Sequence, residues 1–127
     1  EITPWQPDTS LEAARSFAQA VGYSGSGRFE DHEKARAQGL PGALVPGIMG
    51  MGFLTSMIHR WAPRGKVKHI DTVFRAPVLA DHDHTVTAVV TDIDEENDEV
   101  VLDLTIKNAQ EETRVFGTAT VRFPPAG

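Results

Sequence analysis

With 127 residues, 40% of them hydrophobic and 24% charged, the chain has the length and composition of one globular domain, and no stretch reaches the roughly 20 apolar residues of a membrane span. The formal net charge of −6, without a cluster of Lys and Arg, excludes a protein that binds the backbone of nucleic acids. Zero cysteines exclude disulfides and thiolate chemistry and fit a reducing cytosol, so we expect a cytoplasmic protein with one domain over residues 1–127.

The first third of the chain predicts two short helices. Thr9 and Glu12 have the spacing of a capping box with Thr9 at the N-cap, and apolar residues then recur at helical spacing until Gly22 ends the helix. Asp31 is placed to cap a second helix over residues 32–38.

The most apolar part of the chain is its centre, over about residues 46–61, which carries no charged residue before its last turn. Apolar side chains on nearly all faces predict a helix that is buried on most sides, and Pro46 suits its first turn. Gly47, Gly50 and Gly52 are unfavourable inside a helix and indicate that backbone or a ligand comes close. The first interpretation is a core helix packed tightly on a sheet; alternatively, the glycine-rich helix start also presents its free N–H groups to a ligand oxygen or an anion.

After Gly65 the apolar residues follow a period of two. This pattern predicts four strands, over residues 66–74, 85–91, 100–107 and 115–123. Short polar connections at 94–98 and 108–112 predict hairpins, so the sheet is antiparallel over at least its last three strands. We therefore expect an α+β domain in which an antiparallel sheet wraps the central helix, and a dimer that hides the edge strands.

Several spaced segments carry a resemblance to a known family: Phe17-Ala18 with Gly22, residues 31–42, residues 44–49, and residues 74–78 followed by Asp81. They resemble the MaoC-like branch of the hot-dog fold, which includes (R)-specific enoyl-CoA hydratases and acyl-thioester dehydratases. The resemblance spans nearly the whole chain. It implies a hot-dog domain that binds the acyl thioester of coenzyme A or acyl carrier protein at a subunit interface, in a homodimer or a heterodimer, with no cofactor.

The catalytic pattern of that family is not matched. The resemblance implies an Asp and a His five residues later, which activate water for addition to an enoyl thioester. Phe29 stands at the His position, and Ser24 or Tyr23 at the Asp position. Pro46 replaces a further His of the family, whereas Gly47 can still offer its backbone N–H to a thioester carbonyl. We take these five residues as candidate substrate-binding residues.

Other polar residues supply further candidates. Asp31 and His32 are candidate catalytic residues that could replace the missing pair; alternatively, Asp31 caps a helix and His32 is solvated. His69 is a candidate substrate-binding residue, unless it pairs across strands, and Arg75 is either a phosphate ligand or a surface ion pair. Residues 81–84 (Asp-His-Asp-His) are more typical of a polar turn than of a metal site, so we expect no metal.

Three functions remain open. The chain is an accessory subunit that supplies half of an acyl-thioester site while a partner carries the catalytic pair, or a divergent enzyme that uses the same pocket for another lyase, isomerase or thioesterase-like reaction. The third is a non-catalytic module that binds an acyl thioester.

Overall fold

A computed structural model describes residues 2–22 and 27–124 of the chain. In these ranges the elements are α1 (Leu11–Ala20), α2 (His32–Ala37), α3 (Gly47–Trp61), β1 (Lys66–Phe74), β2 (His84–Asp94), β3 (Glu99–Asn108) and β4 (Thr113–Arg122). Helices come first and strands second, which confirms the predicted α+β architecture.

The four strands form one antiparallel sheet in the order β1-β4-β3-β2, so β1 and β2 are its edges. Alternation along β3 shows why the sheet has one buried face: Leu102, Leu104 and Ile106 are 0% exposed, whereas Asp103 between them is exposed. The helix α3 covers this buried face with its own apolar residues. Six residues of α3 are buried: Met49, Gly50, Phe53, Leu54, Met57 and Ile58.

The pairing of β1 with β4 depends on a glycine. Gly117 lies opposite Thr72, and a Cβ at residue 117 would lie 2.1 Å from the Asp71 carbonyl oxygen. No side chain fits at that separation, so any other residue at 117 would push the edge strand β1 away from the sheet.

The helix starts differ in detail from the sequence prediction. Ser10, not Thr9, caps α1 by accepting from the Ala13 N–H, because the Thr9 hydroxyl donates instead to the His82 carbonyl at 2.6 Å. Asp31 caps α2 as predicted, accepting from the Lys34 N–H at 3.0 Å. The N-cap thus lies one residue later than predicted, and no capping box forms because the third helical residue is then Ala13 rather than Glu12.

The strand β2 extends beyond its β-branched core to Asp94, because its last residues pair with the start of β3. None of the helices in the described ranges has the length and hydropathy needed to cross a membrane.

Candidate functional site

A cavity of about 360 Å³ opens beside the first turn of α3. Most of its wall is apolar, formed among others by Phe29, Leu44, Pro46, Gly47, Phe74 and Val115. Within the described ranges, Arg75 is the one charged residue that lines it. Its size and apolar wall suit the hydrocarbon part of a ligand rather than an ion.

The backbone at the start of α3 offers hydrogen-bond donors to this cavity. Pro46 is the N-cap, and because proline has no side-chain acceptor the helix start has no side-chain cap. The first regular helix bond runs from the Gly50 N–H to the Pro46 carbonyl at 3.2 Å. The N–H groups before Gly50 are therefore left without a partner within the helix, and the Gly47 backbone lines the cavity.

Two glycines of α3 keep the cavity open. A Cβ on Gly47 would lie 3.6 Å from the Phe74 ring, and one on Gly50 would lie 3.9 Å from both Phe74 and Ile106. A Cβ on Gly52 would meet nothing within 4 Å. A Cβ on Gly47 or Gly50 would thus make ordinary van der Waals contact with side chains, so no backbone of the described residues comes close enough to require glycine at these positions.

Phe29 forms a wall of the cavity at the position where the resemblance implies histidine. The preceding residue fixes it in place, since the Leu44 N–H donates to the Arg28 carbonyl at 2.7 Å. Tyr23 and Ser24, the two candidates for the Asp position, lie outside the described residues. Among the lining residues that the structure describes, none is a carboxylate or an imidazole.

The catalytic candidates Asp31 and His32 do not line the cavity. His32 Nδ1 accepts the Ala43 N–H at 3.0 Å, which leaves Nε2 to carry the proton that it donates to Asp81 Oδ2 at 2.7 Å. Asp81 Oδ1 also accepts the Leu11 N–H at 2.7 Å. Both ring nitrogens of His32 are therefore engaged in bonds that hold the fold, and a catalytic role for Asp31 and His32 stays a prediction.

The hydrogen bonds to Asp81 also stabilise the charged form of its carboxyl group. The hydrogen bond from His32, followed by that from the Leu11 N–H, lowers the pKa of the Asp81 carboxyl below its usual value. Asp81 has a positive φ of 65°, a conformation that aspartate tolerates better than most residues.

The other polar candidates also lie apart from the cavity wall. His69 is 65% exposed at its side chain and bonds Asp71, two residues along the same strand, at 2.8 Å rather than a residue across the sheet. His84 is buried and donates from Nδ1 to the His82 carbonyl at 2.8 Å, and burial lowers its pKa. In the part of the chain that is described, no three acidic, His or Cys side chains form a group that could hold a metal.

Arg75 lies at the cavity, directly after β1. Its own N–H and that of Ala76 both donate to the Arg114 carbonyl, at 2.9 and 3.0 Å, which fixes the backbone there. No carboxylate of the described residues forms an ion pair with its guanidinium. Phe74 is not among the predicted site residues, although the alternation Ile70, Thr72, Phe74 places it on the face of β1 that meets α3.

Comparison with protein-family models and with curated proteins gives no match to this chain. Solved structures do match. A chain of the ChsH1-ChsH2 complex from Mycobacterium tuberculosis is 19% identical with a TM-score of 0.85, and the match covers 97% of this chain and 94% of that one. The (R)-hydratase from A. caviae involved in PHA biosynthesis is 17% identical with a TM-score of 0.87, over 96% of this chain and 93% of that one.

A third match is a chain of the HadBC (3R-hydroxyacyl-ACP dehydratase) complex from Mycobacterium tuberculosis, 21% identical with a TM-score of 0.69 over 95% of this chain and 96% of that one. The resemblance found in the sequence is thereby confirmed at the level of the fold. The chain has the hot-dog fold of the MaoC-like hydratases and dehydratases.

Proposed function

We propose that the chain is an accessory MaoC-like subunit that binds an acyl thioester of coenzyme A or acyl carrier protein beside a partner chain that carries the catalytic pair. The observation that carries the proposal is the apolar cavity beside an uncapped helix start, with Phe29 where a catalytic His would stand. Phenylalanine cannot transfer a proton, so this wall serves binding rather than acid–base chemistry.

The cavity suits both parts of an acyl thioester. Its apolar wall favours an alkyl chain, because each buried methylene contributes about 0.8 kcal/mol. The Gly47 N–H and the positive end of the α3 dipole favour the carbonyl oxygen of the thioester. Arg75, whose guanidinium forms no ion pair with any described residue, is available for a phosphate of the carrier.

The location of the cavity supports an assembly of two chains. The cavity reaches the last residue of the edge strand β1, where Phe74 is 49% exposed. A second hot-dog chain beside β1 would cover this ring and bring its own polar residues to the cavity mouth. Two of the similar structures are complexes of hot-dog chains, ChsH1-ChsH2 and HadBC, which supports a partner of the same fold. We place this assembly in the cytoplasm.

Thermal unfolding with octanoyl-CoA, crotonyl-CoA and free coenzyme A tests the binding step. Octanoyl-CoA should raise the melting temperature most and free coenzyme A least, because a ligand that prefers the folded state stabilises it. Replacing Phe29 by Trp, which narrows the cavity, should reduce the difference between the acylated and the free coenzyme. Equal melting temperatures with all three ligands at millimolar concentration would contradict the proposal.

Hydration of crotonyl-CoA tests the accessory role. We expect no turnover by the chain alone, and a defined complex with a MaoC-like chain of the same organism that carries the Asp/His pair. A stable homodimer that forms no complex with any such chain would contradict the accessory role. Should the chain alone turn over a thioester, loss of that turnover in folded Asp31→Ala or His32→Ala variants would support the divergent enzyme instead.

A further inference from the structure

The edge strand β2 is covered over only part of its length. The Trp5 N–H donates to the Val86 carbonyl at 3.0 Å, and the Val86 N–H donates to the Trp5 carbonyl at 2.7 Å. Both polar backbone groups of Val86 therefore point away from β3. Because this direction alternates along an antiparallel strand, the N–H and C=O groups of Ala88 and Val90 also point to the open edge.

No backbone bond continues this pairing past Val86 in the described chain. Pro4, next to Trp5, has no N–H, and the N-terminal residues leave the edge to lie against the end of α3, where they share a cavity with Arg60 and Trp61. In the described chain, the regular stretch of this edge without a backbone partner is therefore Ala88 to Val90, since the register with β3 shifts between Val90 and Asp92. Beyond that shift the Ile93 N–H is already bonded to Asp92 Oδ1 at 2.9 Å. Of the two residues that face the edge, Val90 is 37% exposed and Ala88 is 7% exposed.

The open stretch carries apolar side chains in contact with solvent. Every residue from Val89 to Asp98 is exposed, and Val89, Val90 and Ile93 are exposed by 60%, 37% and 63%. Unpaired backbone groups beside exposed β-branched side chains form a template for an additional strand.

Charge identifies the kind of strand that fits. Five carboxylates stand within the seven residues 92–98, namely Asp92, Asp94, Glu95, Glu96 and Asp98. In the described part of the chain no cation forms an ion pair with any of them. Arg64, Lys66 and Arg122 share a cavity with Glu96 and Asp98 at the far end of the run, which leaves Asp92 and Asp94 without a basic neighbour in that cavity. A strand that ends beside this run gains from positive charge and loses from negative charge.

We propose that the edge of β2 at Ala88 and Val90, beside the acidic run at 92–98, binds an extended, basic segment of another protein as a short added strand. Backbone bonds to Ala88 and Val90 provide the pairing, Val89 and Ile93 provide apolar contacts, and the carboxylates at 92–98 select lysine or arginine. A second copy of this chain fits less well, since the two copies would bring two acidic runs to one short strand pair. The surface is distinct from the α3 cavity and does not depend on the function proposed for it.

The probe is a blocked six-residue peptide that alternates lysine and valine, compared with its glutamate–valine counterpart. The lysine peptide should protect the amide protons of Ala88 and Val90 from exchange, while the Val89 amide, which faces β3, stays as it was. Its affinity should fall about tenfold or more between 0.05 and 0.5 M salt, because the carboxylates are exposed. The glutamate peptide should give neither effect.

A matched pair of variants tests the backbone bonds. Val90→Pro removes an N–H that faces the open edge and leaves the bonds to β3 in place, whereas Val90→Thr keeps the N–H and the branched shape. The proline variant should bind the lysine peptide at least tenfold more weakly than the threonine variant, with the same melting temperature in the absence of peptide.

Three results would overturn the proposal. The first is the absence of protection at Ala88 and Val90 with the lysine peptide, and the second is equal binding of the glutamate peptide. The third is concentration-dependent self-association that Val90→Pro abolishes, which would make a second copy the occupant of this edge.

Discussion

The α3 cavity and the His32–Asp81 pair use side chains in opposite ways. The cavity is walled by apolar groups such as Phe29 and Phe74, and its polar contributions come from the helix backbone and Arg75. The His32–Asp81 pair joins an imidazole to a carboxylate, the combination that acid–base catalysis needs, yet its polar atoms are taken up by the Ala43 and Leu11 N–H groups. A His next to an Asp therefore indicates catalysis only where one of its nitrogens is free to meet a substrate.

The largest effect should come from breaking the pair. His32→Ala leaves the Ala43 N–H, on a residue that is 0% exposed, without its acceptor and removes the donor to Asp81. Orphaning a buried donor costs about 1–3 kcal/mol, and we expect a loss of that size in the free energy of unfolding, measured by urea denaturation. Binding of octanoyl-CoA at the cavity should be unchanged at temperatures where the variant is folded.

His59→Ala is the matched control, since His59 lies exposed on the outer side of α3. Its free energy of unfolding should stay within about 0.5 kcal/mol of the parent. Equal losses in the two variants would mean that His32 does not hold the fold. If folded His32→Ala binds the acyl thioester more weakly and His59→Ala does not, the His32–Asp81 pair contributes to the binding site.

The second effect separates stability from binding. Gly50→Ala places a methyl group in ordinary contact with Phe74 and Ile106, at 3.9 Å, and should gain up to about 1 kcal/mol from helix propensity. The same methyl group narrows the cavity, so calorimetry should show weaker octanoyl-CoA binding by a more stable protein.

Gly52→Ala makes the same change at a position with nothing within 4 Å and away from the cavity wall. It should give a similar gain in stability with unaltered affinity. If both variants bind octanoyl-CoA as the parent does, the acyl chain does not lie along this face of α3.

The fold was more predictable than the site because the spacing of apolar residues predicts which faces are buried, but not which polar side chains meet. The alternation in 100–107 predicted β3 within a residue at each end, and the apolar run predicted the buried helix α3. The close approach expected at its three glycines is not found among the described residues, since a Cβ there would make at most ordinary contacts. The bond between His32 and Asp81 joins residues 49 apart in sequence, and no pattern of residues announces it. The sequence likewise gives no sign that the Thr9 hydroxyl donates to the His82 carbonyl, 73 residues away, instead of capping α1.

The smallest expected effect is the change in the free energy of unfolding as the pH falls from neutral, which comes from protonation of His84. Burial lowers the pKa of His84, so the folded state favours its neutral form while the unfolded chain takes up a proton near pH 6.5. This contribution to stability is therefore complete above about pH 6.5 and is lost as the pH falls toward the folded pKa, with a slope of at most about 1.4 kcal/mol per pH unit for one proton. The lowered pKa of Asp81 adds a second loss, which begins only as the pH falls below about 4.

The cavity should not share this dependence, because none of its described lining residues is a carboxylate or an imidazole. We expect the free energy of unfolding to fall from pH 8 to pH 5.5, and less steeply in His84→Asn, whose amide can replace the Nδ1 donor to His82. The affinity for octanoyl-pantetheine, a thioester without a phosphate, should stay constant from pH 6 to 8. A tenfold change of that affinity over this range would place a titrating group at the thioester, as the divergent enzyme requires and the accessory subunit does not.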